Sequence, residues 1–586
     1  MNFRIYFLML FTIIPIWLFG QSFTKITTGS IVTTPSDSRS VNWIDYNNDG
    51  WQDVMITNGP ELGENNMLYK NKGDGTFEAV TGDPIVLDHM PSDGATWADI
   101  DNDGFIDCFV VNWYNKNNMF YKNNGNGSFT QIKTGSLVND GGYSETASWG
   151  DYDNDGLVDL YVTNSAGSNK NFLYHNNGGG TFTKITSGAL VTDAHVSRSI
   201  NWTDYDNDGD LDAFVSNEVN QNEDLYRNNG AGSFEHITGG ALITNAGNTM
   251  SSSFGDYNND GWQDVFLAND QGYLALFKNT GAGGFIKITN DTITKTFGRS
   301  FGSNWGDIDN DGDLDLFVTN AFGPILQNFL FINNSDGSFT RDAANTITEE
   351  IGWSYGCAFG DYDNDGFLDL CVANCQNAAQ ENSLFHNNGN ANHWVEIKCI
   401  GVQSNKSAIG TKVKVKAIIN GKPVWQLREI SAQSGYNGQN MLTTHFGLAS
   451  DGLLDSVRIE WPSGIVDIYK GVDKDKILTA VEGQSLTAIK EIVKPFTKLF
   501  LSYPNPFKND TVIEFELIDN ANVDLEIYDM KGNLIKTLLM NNYSKGQNQI
   551  KWNGTKDNGK MLGSGVYFLI LKEGDHTMTK KISIVR

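Results

Sequence analysis

The sequence predicts an all-β chain, and three observations carry that prediction. Glycine is abundant (62 of 586 residues) and proline scarce (11). Aromatic residues make up 12% and stand among many Val and Thr, a composition that favours strands and tight turns over helices. Finally, an acidic string recurs: "GDYDNDGLVDL" at Gly150 to Leu160 returns almost unchanged as "GDYDNDGFLDL" at Gly360 to Leu370.

The string belongs to an array. Its first aspartate falls at Asp45, Asp99, Asp151, Asp204, Asp256, Asp307 and Asp361, at intervals of 51 to 54 residues. So even a spacing marks a solenoid or a ring of repeated sheets. Each copy has a short strand ending in an aromatic two residues before that aspartate: Trp43, Trp97, Trp149, Trp202, Phe254, Trp305 and Phe359. The acidic loop follows. A second, apolar strand then ends in Asn58, Asn112, Asn164, Asn217, Asn269, Asn320 or Asn374. A third strand resembles "NFLYHN", and a fourth follows a Gly-rich turn, as in "GGGTFTKITSG". Four short strands joined by turns make one propeller blade. The seventh copy never supplies its fourth strand, yet "SFTKITTG" at Ser22 to Gly29 nearly repeats the fourth strand at Thr181 to Gly188. An N-terminal strand that closes the last blade hides sheet edges that an open array exposes. A solenoid has no use for such a displaced strand. The expected fold is therefore a seven-bladed β-propeller over residues 22–391.

The acidic loop reads D-x-[DN]-x-D-G-x-x-D. Its positions one, three, five and nine are Asp45, Asn47, Asp49 and Asp53; Asp99, Asp101, Asp103 and Asp107; Asp151, Asp153, Asp155 and Asp159; Asp204, Asp206, Asp208 and Asp212; Asp256, Asn258, Asp260 and Asp264; Asp307, Asp309, Asp311 and Asp315; Asp361, Asp363, Asp365 and Asp369. Oxygens at positions one, three and five with Gly at six match the start of an EF-hand loop, with Asp at nine in place of the bidentate Glu at twelve. Four side chains, a backbone carbonyl and water supply the six to eight oxygens that Ca²⁺ prefers. Mg²⁺ demands stricter octahedral geometry, and no His or Cys in the loops invites zinc. Seven equal copies around a ring cannot converge on one substrate, which argues against catalysis here. The loops hold 26 of the 70 acidic residues, so about seven structural Ca²⁺ ions would offset half of the net charge of −28. On these residues the copies resemble the FG-GAP/VCBS repeats of integrin α-chain propellers and bacterial surface proteins, and the resemblance implies calcium-binding loops on a variable blade.

Alternating strand direction puts the start of each first strand on the face opposite the acidic loops. A hydroxyl recurs there: Ser38, Ser92, Ser144, Ser197, Thr249, Ser300 and Ser354, expected to cap a turn. The next position varies: Arg39, Asp93, Glu145, Arg198, Met250, Phe301 and Tyr355. With the first strand innermost, these seven ring the mouth of a central channel. Charge on one arc and aromatics on the other suit a glycan or peptide ligand, and filling the channel is the alternative. Trp113, Tyr114 and Tyr273 are expected on the same face. An enzyme, such as a polysaccharide lyase, could use Arg39, Asp93, Glu145 and Arg198 as an acid/base cluster. A binding or adhesion module is the preferred function; the lyase-like enzyme and a purely architectural role are the alternatives.

The remaining segments bound the setting. "MNFRIYFLMLFTIIPIWLFGQS" has a basic Arg4, an apolar run from Ile5 to Phe19 and a small Gly20, which predicts a signal peptide over 1–20. No later segment is apolar enough to span a bilayer. The acidic chain repels phosphate backbones, which argues against nucleic-acid binding. The odd count of five cysteines, Cys108, Cys357, Cys371, Cys375 and Cys399, excludes a disulfide scaffold and leaves open one bridge among Cys357, Cys371 and Cys375 or buried thiols.

After Asn392 the repeat stops, and alternating stretches such as Lys412 to Lys416 and Ser456 to Trp461 predict a small β domain over 392–487. Asn392-His393-Trp394, Ala408-Ile409-Gly410, Arg428-Glu429, Ser434-Gly435-Tyr436, His445 to Leu448 and Trp461 to Gly464 resemble the ASPIC/UnbV domain of cartilage acidic protein and bacterial relatives. His445 has no Ser or Cys nucleophile partner, so a structural role is expected. Residues 488–499 form a linker. The last segment, 500–586, has two hairpin patterns. It resembles the type A C-terminal sorting domain of the type IX secretion system through Tyr503 to Phe507, Gly563 to Tyr567 and Lys580 to Arg586. That resemblance implies an immunoglobulin-like sandwich, the type IX machinery as partner, and a secreted or outer-membrane surface-attached product. A monomer is expected.

Overall fold

The computed structural model describes residues 21–586 except 231, 282, 324–326, 350–351, 376–379, 489–496, 500–501, 503, 518–520, 532, 545 and 574–575. The expected signal peptide and most of the expected linker lie outside the described residues. The chain is all-β and divides into two compact units, Met1–Glu491 and Ile492–Arg586.

In the first unit each repeat builds an antiparallel sheet. The first strands are Ser38–Ile44, Ser92–Ala98, Ser144–Gly150, Ser197–Thr203, Thr249–Gly255, Ser300–Gly306 and Ser354–Gly360. Each pairs with a second strand that begins at the ninth loop position and ends at the recurring Asn, from Asp53–Asn58 to Asp369–Asn374. Third and fourth strands follow in order, and in the sheet of Ser354–Gly360 the outer place is taken by the N-terminal Phe23–Ile26, paired antiparallel with Ser383–Asn387.

The recurring hydroxyls do not cap turns. Each stands directly opposite the recurring Asn of its own hairpin and donates to its side-chain oxygen, as in Ser38 to Asn58 (2.9 Å), Ser197 to Asn217 (3.0 Å) and Ser300 to Asn320 (2.9 Å). The hydroxyl and the Asn are far apart in sequence and become neighbours only through strand register. Ser300→Ala leaves the buried Asn320 oxygen short of a donor, so a loss of about 1–2 kcal/mol is expected in chemical denaturation.

Neighbouring sheets are clipped together by three recurring side chains. Four of the first-strand tryptophans, all but Trp97, reach back to the preceding first strand: Trp202 Nε1 donates to Ser148 O (3.2 Å), Trp305 to Ser253 O (3.1 Å), and Trp43 to Ala358 O (3.0 Å), with Trp149 to Thr96 O (3.4 Å). The Asn ending each third strand donates to a carbonyl of the preceding acidic loop, as in Asn228 to Tyr152 (2.7 Å) and Asn71 to Tyr362 (2.7 Å). The Asn at loop position four, left-handed in every copy, donates onward to the next loop, as in Asn310 to Gly366 O (2.9 Å) and Asn364 to Gly50 O (3.2 Å). Asn tolerates that backbone region better than other non-glycine residues. In all three series the seventh repeat bonds to the first.

Residues after 392 add two more four-stranded sheets. One orders Thr444–Ala449, His393–Ile400, Ile477–Val481 and Thr487–Ala488; the other Lys422–Glu429, Lys412–Ile419, Leu453–Glu460 and Val466–Lys470. They share one core with the repeats of the first unit, in which Val395, Val413 and Phe446 join Phe109, Trp149 and Leu160. The segment between Glu429 and Thr444 leaves these sheets and enters the repeats, where Gly438–Gln439 pairs in parallel with Val41 and Asn42 of the first strand. All five cysteines are buried free thiols, and burial pushes the Cys357 thiol up to about 12.

The second unit has two sheets of its own. Thr497–Leu499, Thr511–Leu517 and Gly546–Trp552 form one; Leu534–Tyr543, Ala521–Tyr528, Gly565–Glu573 and His576–Ile584 form the other. Their core gathers Phe507, Phe515, Leu525, Trp552, Leu569 and Ile582.

Candidate functional site: acidic loops and the centre of the repeats

The acidic loops share one internal wiring. The first aspartate accepts from the backbone N–H groups of positions five and six, as Asp151 does from Asp155 (3.0 Å) and Gly156 (2.9 Å), except in the sixth loop, where Asp311 N turns to Asp309 (3.2 Å). The fifth accepts from position seven, Leu157 to Asp155 (2.9 Å). The ninth holds the third strand, with Asn176 N donating to Asp159 Oδ1 (2.8 Å). Carboxylate oxygens of Asp99, Asp101 and Asp107 lie within 4.8 Å of one another, as do those of Asp204, Asp206 and Asp212 and of Asp151, Asp153 and Asp155. At position three, one oxygen each of Asp101, Asp153 and Asp206 is buried without a hydrogen-bond partner. Burial, then the neighbouring carboxylates, raises the ninth aspartate: Asp159, Asp212 and Asp264 are pushed up to about 9 despite an opposing backbone hydrogen bond. Packed, orphaned, hard oxygen donors fit a divalent cation of the calcium type.

One contributor escaped the sequence reading. The residue before each third-strand Asn is basic in six copies: Lys70, Lys122, His175, Arg227, Lys278 and His386. In five of them it leans over the loop of its own repeat, while Arg227 pairs with Glu235 of the fourth strand. Lys70 Nζ lies 3.3 Å from Asp49, Lys278 Nζ 3.0 Å from Asp260, and His175 Nδ1 3.1 Å from Asp159. No histidine lies within a loop, yet His175 and His386 do join two carboxylate clusters from a neighbouring strand.

The second pair of sheets stands on this acidic face. Lys412 Nζ reaches Asp204 (2.6 Å) and also bonds Asn207; Lys398 Nζ reaches Asp45 (3.4 Å). Gly447 N donates to Asp307 (2.9 Å), and His445 Nε2 meets Asn310 Oδ1 (2.7 Å). His445 is buried, which lowers its pKa to about 4, and its other nitrogen faces Glu396 (3.2 Å).

At the centre the seven variable positions converge around a residue from outside the repeats. The Tyr436 hydroxyl bonds Glu145 (2.6 Å) and Asp93 (3.1 Å), and lies 3.3 Å from the Tyr355 hydroxyl. Arg198 pairs with Glu145 (2.6 Å) and with Glu218 (2.5 Å). Arg39 faces Asp93 (4.0 Å) and lies 4.8 Å from the Tyr355 ring centroid. Phe301 stacks on Tyr355 (5.0 Å), and both pack with Met250 and Tyr436. Trp113 Nε1 donates to Glu145 (2.9 Å) with Tyr114 edge-on beside it, whereas Tyr273 pairs with Phe297 on a separate two-stranded piece. The ring is thus assembled and filled. The four charged groups sequence reasoning offered to an enzyme are committed to each other and to Tyr436.

Burial, then the Glu145 charge, holds Asp93 well above the usual carboxylate range. Burial also opposes charge on Glu145, but Arg198, Asp93 and the hydroxyls of Ser165 and Tyr436 outweigh it and hold it low. Asp93→Asn replaces a carboxyl that burial already pushes toward its neutral form and is expected to cost under about 1 kcal/mol. Glu145→Gln withdraws a buried partner from Arg198 and is expected to cost about 3 kcal/mol, both read by urea denaturation.

Comparison with known proteins places these features in context. The FG-GAP-like repeat model matches residues 45–110, 99–162, 158–215, 204–267, 256–318 and 322–372. The ASPIC and UnbV model matches 401–487, and the secretion system C-terminal sorting domain matches 502–585. Cartilage acidic protein 1 of Homo sapiens is 27% identical over 359 residues, covering 60% of this chain and 44% of its own length. The Mus musculus protein is 26% identical over 346 residues, covering 58% and 43%. The chain thus spans less than half the length of these relatives. Among solved structures, BBS1N in complex with ARL6DN gives a TM-score of 0.39 at 10% identity over 63% of this chain and 96% of that one. The Aleuria aurantia lectin in complex with Fucalpha1-6GlcNAc gives 0.32 at 15% over 56% and 100%.

Proposed function

This chain belongs to the FG-GAP-like repeat family, and from that premise we propose that its seven sheets form a closed seven-bladed propeller held by about seven calcium ions and serving as a ligand-binding module outside the cell. The C-terminal sorting domain marks the protein as secreted or attached to the cell surface, delivered by secretion machinery of the type IX kind. Among the described residues no helix is long and apolar enough to cross a membrane.

The calcium reading rests above all on the orphaned oxygens of Asp101, Asp153 and Asp206, buried in clusters of oxygen donors alone or nearly so. Asp45, Asn47, Asp49 and Asp53, and their counterparts in the other six loops, would hold the ions. A bound Ca²⁺ supplies the positive charge that lets these carboxylates remain ionised while buried. The cyclic hydrogen bonds from the seventh repeat to the first support closure. The N-terminal strand in the seventh sheet does so too.

The ligand is a glycan or a protein, met on the face opposite the calcium loops around Arg39, Asp93, Glu145, Arg198, Met250, Phe301 and Tyr355. Since Tyr436 fills the centre of that ring, binding falls to its partly exposed rim, Arg39 and Arg198 among Trp113 and Tyr114. A lyase needs a free base beside a charge-neutralising group, and the pairing of Glu145 with Arg198 favours binding over catalysis. Metal analysis of the purified protein tests the first half of the proposal: about seven calcium ions per chain are expected. A glycan array with and without EDTA tests the second.

A further inference from the structure

A groove of about 730 Å³ lies in the first unit and shares no lining residue with the ring around Tyr436. One wall is formed by the acidic loops of repeats five and six, with Asn259, Asp260 and Asp313. The other is the sheet of Lys422–Glu429, Lys412–Ile419 and Leu453–Glu460, which contributes Trp425, Lys414 and Arg458.

Trp425 lies directly opposite Lys416 in the sheet, with the Lys416 ammonium 6.0 Å from its ring centroid, and is 41% exposed. An indole held open on a rigid strand is a stacking platform for the C–H face of a pyranose. The charges beside it are unbalanced. Lys414 (2.8 Å) and Arg458 (2.7 Å) share the single carboxylate of Glu460, and Lys422 lines the groove as a further cation. On the facing wall Asp260 is paired with Lys278 (3.0 Å), while Asp313 accepts from neutral donors, the Asn259 amide (2.7 Å) and Ser335. With three cations against Glu460, the strand wall of the groove carries a positive excess in a chain of net charge −28. At physiological salt screening acts over about 8 Å, so the local excess governs what docks.

We infer that this groove binds an acidic saccharide chain, with one pyranose stacked on Trp425 and its carboxylate or sulfate on Lys414, Arg458 and Lys422. Arg458 supplies a planar fork matched to a carboxylate. The assignment goes beyond the ligand face described above and uses none of its residues.

The test is calorimetric titration of the mature full-length protein in calcium with oligogalacturonate, dextran sulfate, neutral dextran and poly-L-glutamate. Binding of at least one acidic saccharide is expected, with the preferred one distinguishing carboxylate from sulfate. Trp425→Ala is expected to weaken it about ten-fold and Arg458→Gln about three-fold, both with unchanged melting temperature. Equal affinity in wild type and Trp425→Ala, equal binding of poly-L-glutamate, tighter binding of neutral dextran, or no binding at all would each overturn the assignment. The calcium reading fails separately, through an unchanged melt in EDTA.

Discussion

Stripping calcium with excess EDTA is expected to lower the melting temperature by more than about 10 °C, with recovery on adding CaCl₂. A site filled at a hundred times its dissociation constant contributes about 2.7 kcal/mol, and several such sites are proposed for the first unit. At roughly 2–4 °C per kcal/mol for a domain of 150–250 residues, even part of that sum is a large shift. The pH dependence has a definite sign. Without metal, the ninth-position carboxylates near 8 to 9 in the folded chain lie far above the unfolded value of about 4. Their protonated forms stabilise the metal-free fold fully below pH 4, and that stability is lost as pH rises through 8 to 9. The gap between calcium-loaded and stripped protein should therefore widen from pH 5 to pH 8. Calorimetric scans at both pH values check it; coincident melts with and without EDTA would remove calcium from the account.

Gly438→Val is expected to cost about 4 kcal/mol or more and to expose the segment between Glu429 and Thr444 to protease. A Cβ on Gly438 would stand 2.1 Å from the Cys357 carbonyl oxygen, and one on Gly435 2.0 Å from that of Ser303. Both contacts are with backbone that carries the first strands of other repeats, so no side chain can swing aside. Displacing this segment withdraws Tyr436 from Asp93 and Glu145 and leaves the buried Glu145 short of its hydroxyl donor. Gly239→Ala, with open space around it, is the matched control and should leave both readouts unchanged. A Gly438→Val protein as stable and as protease-resistant as the control would show that the segment need not be seated for the repeats to fold.

Much of the architecture could be read without coordinates because the repeat amplifies it. A single D-x-D-x-D-G is weak evidence, but seven copies at one spacing define strand ends, loop positions and the displaced strand Phe23–Ile26. The basic residue before each third-strand Asn was equally periodic, from Lys70 to His386, and could have been found by the same count. The hydroxyl series from Ser38 to Ser354 was found yet assigned to turns, because opposite partners across a hairpin depend on register, which composition does not encode.

What the sequence by itself determined is everything that repeats: the all-β class, the period, the four-part unit, and the clustered acids. Local chemistry at fixed spacing suffices for these. What only the tertiary structure decided is how non-repeating segments meet the array. Nothing in "SGYNGQN" announces that Tyr436 will sit among Arg39, Glu145 and Arg198, or that Lys412 will reach Asp204. These pairs lie hundreds of residues apart in sequence. They become neighbours because the sheets after residue 392 bury their apolar face and their lysines on the loop face, which only long-range packing can specify.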